Sequence, residues 1–393
     1  MLTDRAAAFV QDYWDDIVAQ LPPELDRLAT EHGVLKYHRC IPDAAALIRL
    51  AFAYSILDLS LRSVAAWGAS AGVCKPLSDV AVLKQLRSLR PLVAALLQRQ
   101  LDPRQDLATF PAGFTLVDGT SFGGPGGKGA DWRVNLSYSG SAGLSVGIDL
   151  TTGAVGERFD TARLRPDDVI VGDRHYCRPK MLADILDAEA HVLVRAVRTF
   201  RLRRPDGRLC SPDEFTRTDL MKPGELCEHD VNVVLASGRI LPMRLIIVRK
   251  TDASAARTAR QLRRLRTKKQ RKNADSADAL IAGRHVYLLT SIPRARATAG
   301  QLAAAYRFRW QVELAFKRWK SLLGLDRLRA KGDLAETYIL CKLLVATLIE
   351  AVLQEAAVSP WGARFTRAAA TTSRKARQRP WKQAEVADPT PPA

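Results

Sequence analysis

Two aspartates close short apolar runs. In FTLVDGT (114–120) Asp118 follows Leu116 and Val117, and in DVIVGDRHY (168–176) Asp173 follows Val169, Ile170, Val171 and Gly172. An acid at the carboxyl end of a strand lies at the edge of a sheet, where open α/β sheets bind their ligands. The two are 55 residues apart. On neighbouring strands they would bring together two carboxylates that repel each other unless a cation lies between them. A hard divalent ion, Mg²⁺ or Mn²⁺, meets that need, with water and phosphate oxygens filling the remaining positions. Asp-Gly is also an ordinary turn dipeptide, so Asp118 alone would carry little weight.

A third element changes the balance. In AAAYRFRWQVELAFKRWKSLLGL, Tyr306, Arg309, Glu313 and Lys320 stand at offsets 0, 3, 7 and 14. At 100° per residue they fall at about 0°, 300°, 340° and 320°, one stripe about 60° wide on a helix. Core helices do not carry Arg, Glu and Lys on one side, and a solvated face seldom begins with Tyr. Glu313 would complete a carboxylate triad with Asp118 and Asp173 able to hold two metal ions, one activating the attacking oxygen and one stabilising the leaving oxygen of an in-line phosphoryl displacement. Tyr306, Arg309 and Lys320 can donate hydrogen bonds to DNA phosphates.

The elements that must position these side chains are legible in outline. Residues 1–107 read as a helical N-terminal, DNA-binding domain, with starts and stops at Pro22-Pro23, at Pro42-Asp43 ahead of AAALIRLAFAYSIL and at Ser78-Asp79. From 108 to 197 the texture becomes β-branched: strands at 114–120, 132–139 and 144–150, then DVIVGDRHY, a helix over 180–190, and HVLVRAV (191–197). Three consecutive strands followed by strand–helix alternation imply a meander leading into a parallel extension, an α/β (α+β) mixed sheet with helices on its faces. Residues 198–284 form a β-rich insertion with a hairpin over 231–250 and a basic helix, and 285–355 return to the core with HVYLLTSI, one long helix from 298 to 323, and a last helix. Residues 356–393 are a basic Pro/Ala-rich tail. Trp310 and Trp319 are expected to pack the long helix onto the sheet, and the glycines after Asp118 to form a flexible connection, since GGPGGKG lacks the P-loop pattern. His175 and Tyr176, beside Asp173, suit either support of that acid or packing.

Charge agrees with a polyanionic partner. Sixty Lys and Arg against 41 Asp and Glu give +19. Sixteen of these charges fall in two acid-free segments, nine between Arg257 and Lys272 and seven between Arg364 and Lys382. In the first, Leu262 and Leu265 leave one thin apolar seam among Arg257, Arg260, Arg263, Arg264, Arg266, Lys268 and Lys269. Such a helix repels itself unless phosphates lie against it. A length of 393 residues with 47% hydrophobic content excludes wholesale disorder. The six cysteines form no C-x-x-C pair, so neither a disulfide framework nor a zinc site is expected. The acidic N-terminus indicates no export signal, and charges interrupt both of the most apolar stretches, so no membrane partner is expected.

The spacing Y-x2-R-x3-E-x6-K, together with VDGT and DRHY, resembles the signature of the insertion-sequence-four group of bacterial DDE transposases. The order of parts resembles it too, over about 320 residues. The resemblance implies a ribonuclease H-like core interrupted by the β-rich insertion. It also implies cut-and-paste DNA transposition: Asp118, Asp173 and Glu313 bind Mg²⁺, water cuts one strand at the element's end, and the freed 3′-hydroxyl attacks a second phosphodiester. Double-stranded DNA, as terminal inverted repeats and as target, is the implied partner. A homodimer in the synaptic complex and a bacterial cytoplasmic, nucleoid-associated location follow. Some relatives hold a flipped base on an aromatic residue of the insertion, for which the insertion here offers Phe200, Phe215 and Tyr287. One alternative is a catalytically silent, transposase-derived protein that occupies the element's ends; another is a nuclease without strand transfer.

Overall fold

The computed structural model describes residues 14–35, 38–104, 114–127, 129–156, 159–216, 220–268 and 276–355. The tail over 356–393 and the basic residues Lys269, Arg271 and Lys272 lie outside these residues.

Alternating apolar and polar residues after Phe114 build a meander of β1 (Thr115–Phe122), β2 (Trp132–Ser139) and β3 (Leu144–Thr152), paired antiparallel. Two short, almost wholly apolar strands, β4 (Val169–Gly172) and β5 (His191–Arg195), then add in parallel beside β1. Burial on both faces explains their lack of alternation. The helix between them, α7 (Pro179–Asp187), follows six N-terminal helices among the described residues: α1 (Trp14–Ala19), α2 (Leu25–Glu31), α3 (Ala44–Ser55), α4 (Leu61–Ser70), α5 (Asp79–Ser88) and α6 (Arg90–Leu101). Several start where the sequence puts a cap: Asp43 accepts from Ala46 N, Ser60 from Ser63 N, and Ser78 from Ala81 N.

The second β-rich segment does not form a sheet of its own. Strands β6 (Leu202–Arg203), β7 (Leu209–Cys210), β8 (Leu226–Val234) and β9 (Ile240–Arg249) join the first five through β10 (His285–Thr290), giving one ten-stranded mixed sheet in the order β3-β2-β1-β4-β5-β10-β9-β8-β6-β7. The β8–β9 turn closes at Gly238, whose φ of +86° suits a residue without Cβ. Between β9 and β10 lie the basic helix α8 (Asp252–Lys268) and α9 (Ala277–Gly283).

Each face of the sheet has its own core. On one, Leu116, Leu136, Val169, Val171 and Leu193 share a continuous cluster with the N-terminal helices and the C-terminal helix α12 (Asp333–Glu355), which packs on α3, α5 and α6. On the other, Val117, Ile170, Val192 and Val194 pack against Leu182, Ala183 and Ile185 of α7. Arg104, just beyond α6, pins the first arrangement: its guanidinium donates to Glu350 Oε2 (3.1 Å) and to the Thr347 carbonyl (2.8 Å), and Glu350 also accepts from Ser145 N and Oγ at the start of β3.

The long helix expected over 298–323 is two helices, α10 (Ala299–Arg307) and α11 (Trp310–Leu322). At the break, Phe308 N and Arg309 N bond to the carbonyls three residues back, Ala305 O and Tyr306 O, both at 3.1 Å. Periodicity cannot distinguish such a tightened turn from a continuous helix, because both keep the same face inward. The strand expected over 168–176 also ends sooner, at Gly172, because the chain turns back there with Tyr176 N bonded to Asp173 O. The six cysteines are free thiols, and among the described residues no helix is long and apolar enough to cross a membrane.

Candidate active site

Strand register aligns the two aspartates. In the parallel β1–β4 pair Thr115 faces Ile170, Leu116 faces Val171 and Val117 faces Gly172, so Asp118 and Asp173 stand one step further along. Strand alternation sends Asp118 to the face of Leu116, where α11 crosses β1, and Asp173, the first residue of the turn after β4, lies near enough for its charge to act on Asp118 and on Tyr306. The β4–β5 pair repeats the pattern: Gly172 faces Val194, which puts Arg195 at the next position of the same row. Two carboxylates and one guanidinium thus line the edge of three adjacent strands, about 4.8 Å apart strand to strand.

Opposite this row, Arg309 carries the contacts. Its Nη1 lies 3.7 Å from Asp118 Oδ2, its Nη2 donates to Glu313 Oε1, and its Cζ lies 6.0 Å from the Tyr306 ring centroid. Glu313 sits in the first turn of α11, where the helix dipole favours an acid, and its side chain remains 52% exposed. Asp173 is held in place by His175, which donates from its backbone N to Oδ1 at 2.7 Å and sets its ring Nδ1 3.0 Å from Oδ2. Tyr176 is fully buried and packs over Gly172.

The electrostatics follow from burial. Desolvation pushes Asp118 up to about 6, with Asp173 and Glu313 adding to the rise while the Gly119 N–H (2.9 Å) and Arg309 oppose it. Burial alone would weaken the Arg309 charge, yet Tyr306, Glu313 and Asp118 together hold it above its ordinary value. Burial likewise raises Tyr306, against the pull of Arg309 and Arg195. Among the described residues no three His, Cys, Asp or Glu side chains stand close enough together to hold a metal ion as they are; here a guanidinium joins Asp118 and Glu313. The donor set nonetheless suits a hard divalent cation: Asp173 and Glu313 both raise the cost of ionising Asp118, and Glu313 is exposed.

Lys320 is half-buried on α11, seven residues or about 10 Å along the axis from Glu313. Trp319 packs into the core as expected, whereas Trp310 is 48% exposed at the start of α11. Of the aromatics considered for a flipped base, Tyr287, which lies on β10 beyond the insertion, is buried with its hydroxyl 2.8 Å from Thr216 Oγ1, and Phe215 lies between Arg204 (4.3 Å to the ring centroid) and a stacked His229 (4.4 Å). Neither leaves a face open for a base.

The chain matches the family model described as "Transposase DDE domain" over residues 109–349. It belongs to the DDE transposases. This transposase is 36% identical over 355 residues to the putative transposase InsL for insertion sequence element IS186A of Escherichia coli strain K12, covering 88% of this chain and 95% of that one. It is 35% identical over 356 residues, with the same coverage, to the transposase for insertion sequence element IS421 of Escherichia coli. Among solved structures it is similar to the piggyBac transposase synaptic complex with hairpin DNA, at TM-score 0.40 and 9% identity, over 82% of this chain and 66% of that one.

Sequence reasoning passed over Arg195. The signal was present: HVLVR is another apolar strand closed by a charged residue, as in the two Asp segments. On α8 the seam does form, with Leu262 and Leu265 half-buried toward α9 and Arg257, Arg260, Arg263, Arg264 and Arg266 exposed; nothing is described of the Lys268 side chain. Lys250, leading into α8, donates to Gly283 O (2.8 Å) and Thr258 Oγ1 (3.0 Å), and burial, with Arg195 and Arg249 nearby, brings it down to about 8.

Proposed function

We propose that Asp118, Asp173 and Glu313 are the catalytic carboxylates of this transposase and the ligands of Mg²⁺, for which Mn²⁺ can substitute. The observation that supports this assignment is the β1–β4 register, beyond whose last pair Asp118 and Asp173 follow on adjacent chains, with the helix bearing Glu313 crossing β1. When bound, the divalent cations supply the charge that activates the attacking oxygen and stabilises the leaving one. Asp118 and Asp173 come from buried, paired strands, so they are fixed in position; Glu313, on the helix, is exposed enough to close on them. Tyr306, Arg309 and Lys320 grip the DNA backbone near the cut, and Arg195 adds a phosphate contact at the end of the row. Arg257, Arg260, Arg263, Arg264, Arg266, Lys268 and Lys269 hold the duplex further out.

The fine classification follows the same line. The strand order β3-β2-β1-β4-β5 with α7 behind it is read as a ribonuclease H-like core, residues 198–284 as its insertion, and the Tyr306–Lys320 spacing as that of the insertion-sequence-four group. The substrate is double-stranded DNA bearing the element's terminal inverted repeats, joined to target DNA by a homodimer working at the bacterial nucleoid. Purified protein with Mg²⁺ should nick and join DNA carrying those ends, and Asp118→Asn or Glu313→Gln should abolish both steps while binding survives. Cleavage that persists in both variants would overturn the assignment.

A further inference from the structure

One guanidinium holds two of the three acids. Arg309 reaches Asp118 Oδ2 with Nη1 at 3.7 Å and donates to Glu313 Oε1 with Nη2, with its side chain only 19% exposed. A divalent cation bridging these acids and the guanidinium cannot share that space, because like charges there would repel at contact distance. The described residues agree, since no three ligating side chains converge while Arg309 lies between Asp118 and Glu313. Arg309 is also built to leave. It lies in the two-residue break between α10 and α11, outside the regular ladder of either helix, and its planar fork fits phosphate as well as carboxylate.

We propose that Arg309 is an exchangeable counter-ion: in the DNA-free protein it occupies Asp118 and Glu313, and a DNA phosphate draws it off, freeing the acids for the metal. This inference rests on the assignment of the three carboxylates made above. Metal affinity is then coupled to DNA binding, and by linkage the metal raises DNA affinity by the same factor. The consequence is a nuclease centre that stays unloaded until its substrate is seated, which limits stray hydrolysis.

The test uses Mn²⁺ binding to the full chain, read by electron paramagnetic resonance of the free ion, with and without a short duplex of the element's terminal sequence. The wild-type protein should bind Mn²⁺ at least tenfold more tightly with the duplex. Arg309→Gln should bind Mn²⁺ about tenfold more tightly than wild type without DNA, and the duplex should add much less. Arg309→Lys, which keeps the charge and loses the fork, should fall between them and serves if the Gln variant does not fold. Equal DNA-free affinity in wild type and both variants overturns the inference while leaving the carboxylate assignment standing. Mn²⁺ binding unchanged by Asp118→Asn and by Glu313→Gln overturns both.

Discussion

Asp118 on β1 and Asp173, in the turn just after β4, each stand one step beyond the Val117–Gly172 pair of the parallel register, close enough for the charge of Asp173 to act on Asp118. Their proximity is expensive for the free protein. Desolvation, then the two other acids, raises Asp118 to about 6 from an unfolded value of about 3.9. The folded state therefore holds this proton more tightly than the unfolded chain, and stability falls as pH rises from about 4 to about 6. Asp118→Asn removes that penalty. In EDTA it should be the more stable protein above pH 6, by at most about 3 kcal/mol, and the gap should close below pH 4. Denaturant midpoints across that range are the measurement, and a gap independent of pH would contradict the prediction.

Gly172 controls where Asp173 points. A Cβ at this position would stand 2.9 Å from both Cβ and Cγ of Tyr176, a side chain with 1% exposure and nowhere to move. Gly172→Ala should cost about 1–3 kcal/mol through overpacking. Because the displaced turn carries Asp173, cleavage should fall further than the loss of folded protein accounts for, with duplex binding retained. Cleavage proportional to the folded fraction would show that the turn absorbs the methyl group.

The proposed site was legible where chemistry and period coincide. Asp118, Asp173 and Glu313 each announce themselves as an acid closing a strand or lying on a helical stripe, and the meander and parallel strands follow from turn residues and β-branched runs. What stayed hidden depends on contacts distant in sequence. The β4–β5 register that brings Arg195 into the row is a property of pairing, and nothing local in HVLVR specifies it. The break at Phe308–Arg309 leaves the helical period almost unchanged, so the spacing of Tyr306, Arg309, Glu313 and Lys320 does not reveal it. The joining of the insertion to the main sheet is decided by β10, which pairs with β5 on one side and β9 on the other.

Arg104 ties the helices to the sheet, and its removal should be costly. Arg104→Ala leaves Glu350, whose acid burial already raises, without its counter-charge beside Ser145. Breaking one partner of a buried ion pair costs about 3–5 kcal/mol, whereas replacing both with apolar residues is often near neutral. Arg104→Met combined with Glu350→Leu should therefore recover most of the loss seen in Arg104→Ala, measured as urea midpoints. A double variant as unstable as the single one would mean that the Thr347 and Ser145 hydrogen bonds, rather than charge pairing, hold this junction.

The basic helix gives the last prediction. Arg260, Arg263 and Arg264 are exposed on α8 opposite its half-buried leucines, and among the described residues no ion pair accounts for them. If they lie against phosphates, each contact contributes about 0.9 to the slope of log affinity against log salt. Changing all three to Gln should reduce that slope by about 2 to 3 and weaken binding to terminal and unrelated duplexes alike, because backbone contacts position DNA without reading its sequence. Affinities measured by fluorescence anisotropy between low and physiological salt decide it. An unchanged slope would assign the helix to another role, and a loss confined to the terminal sequence would mean that it reads bases.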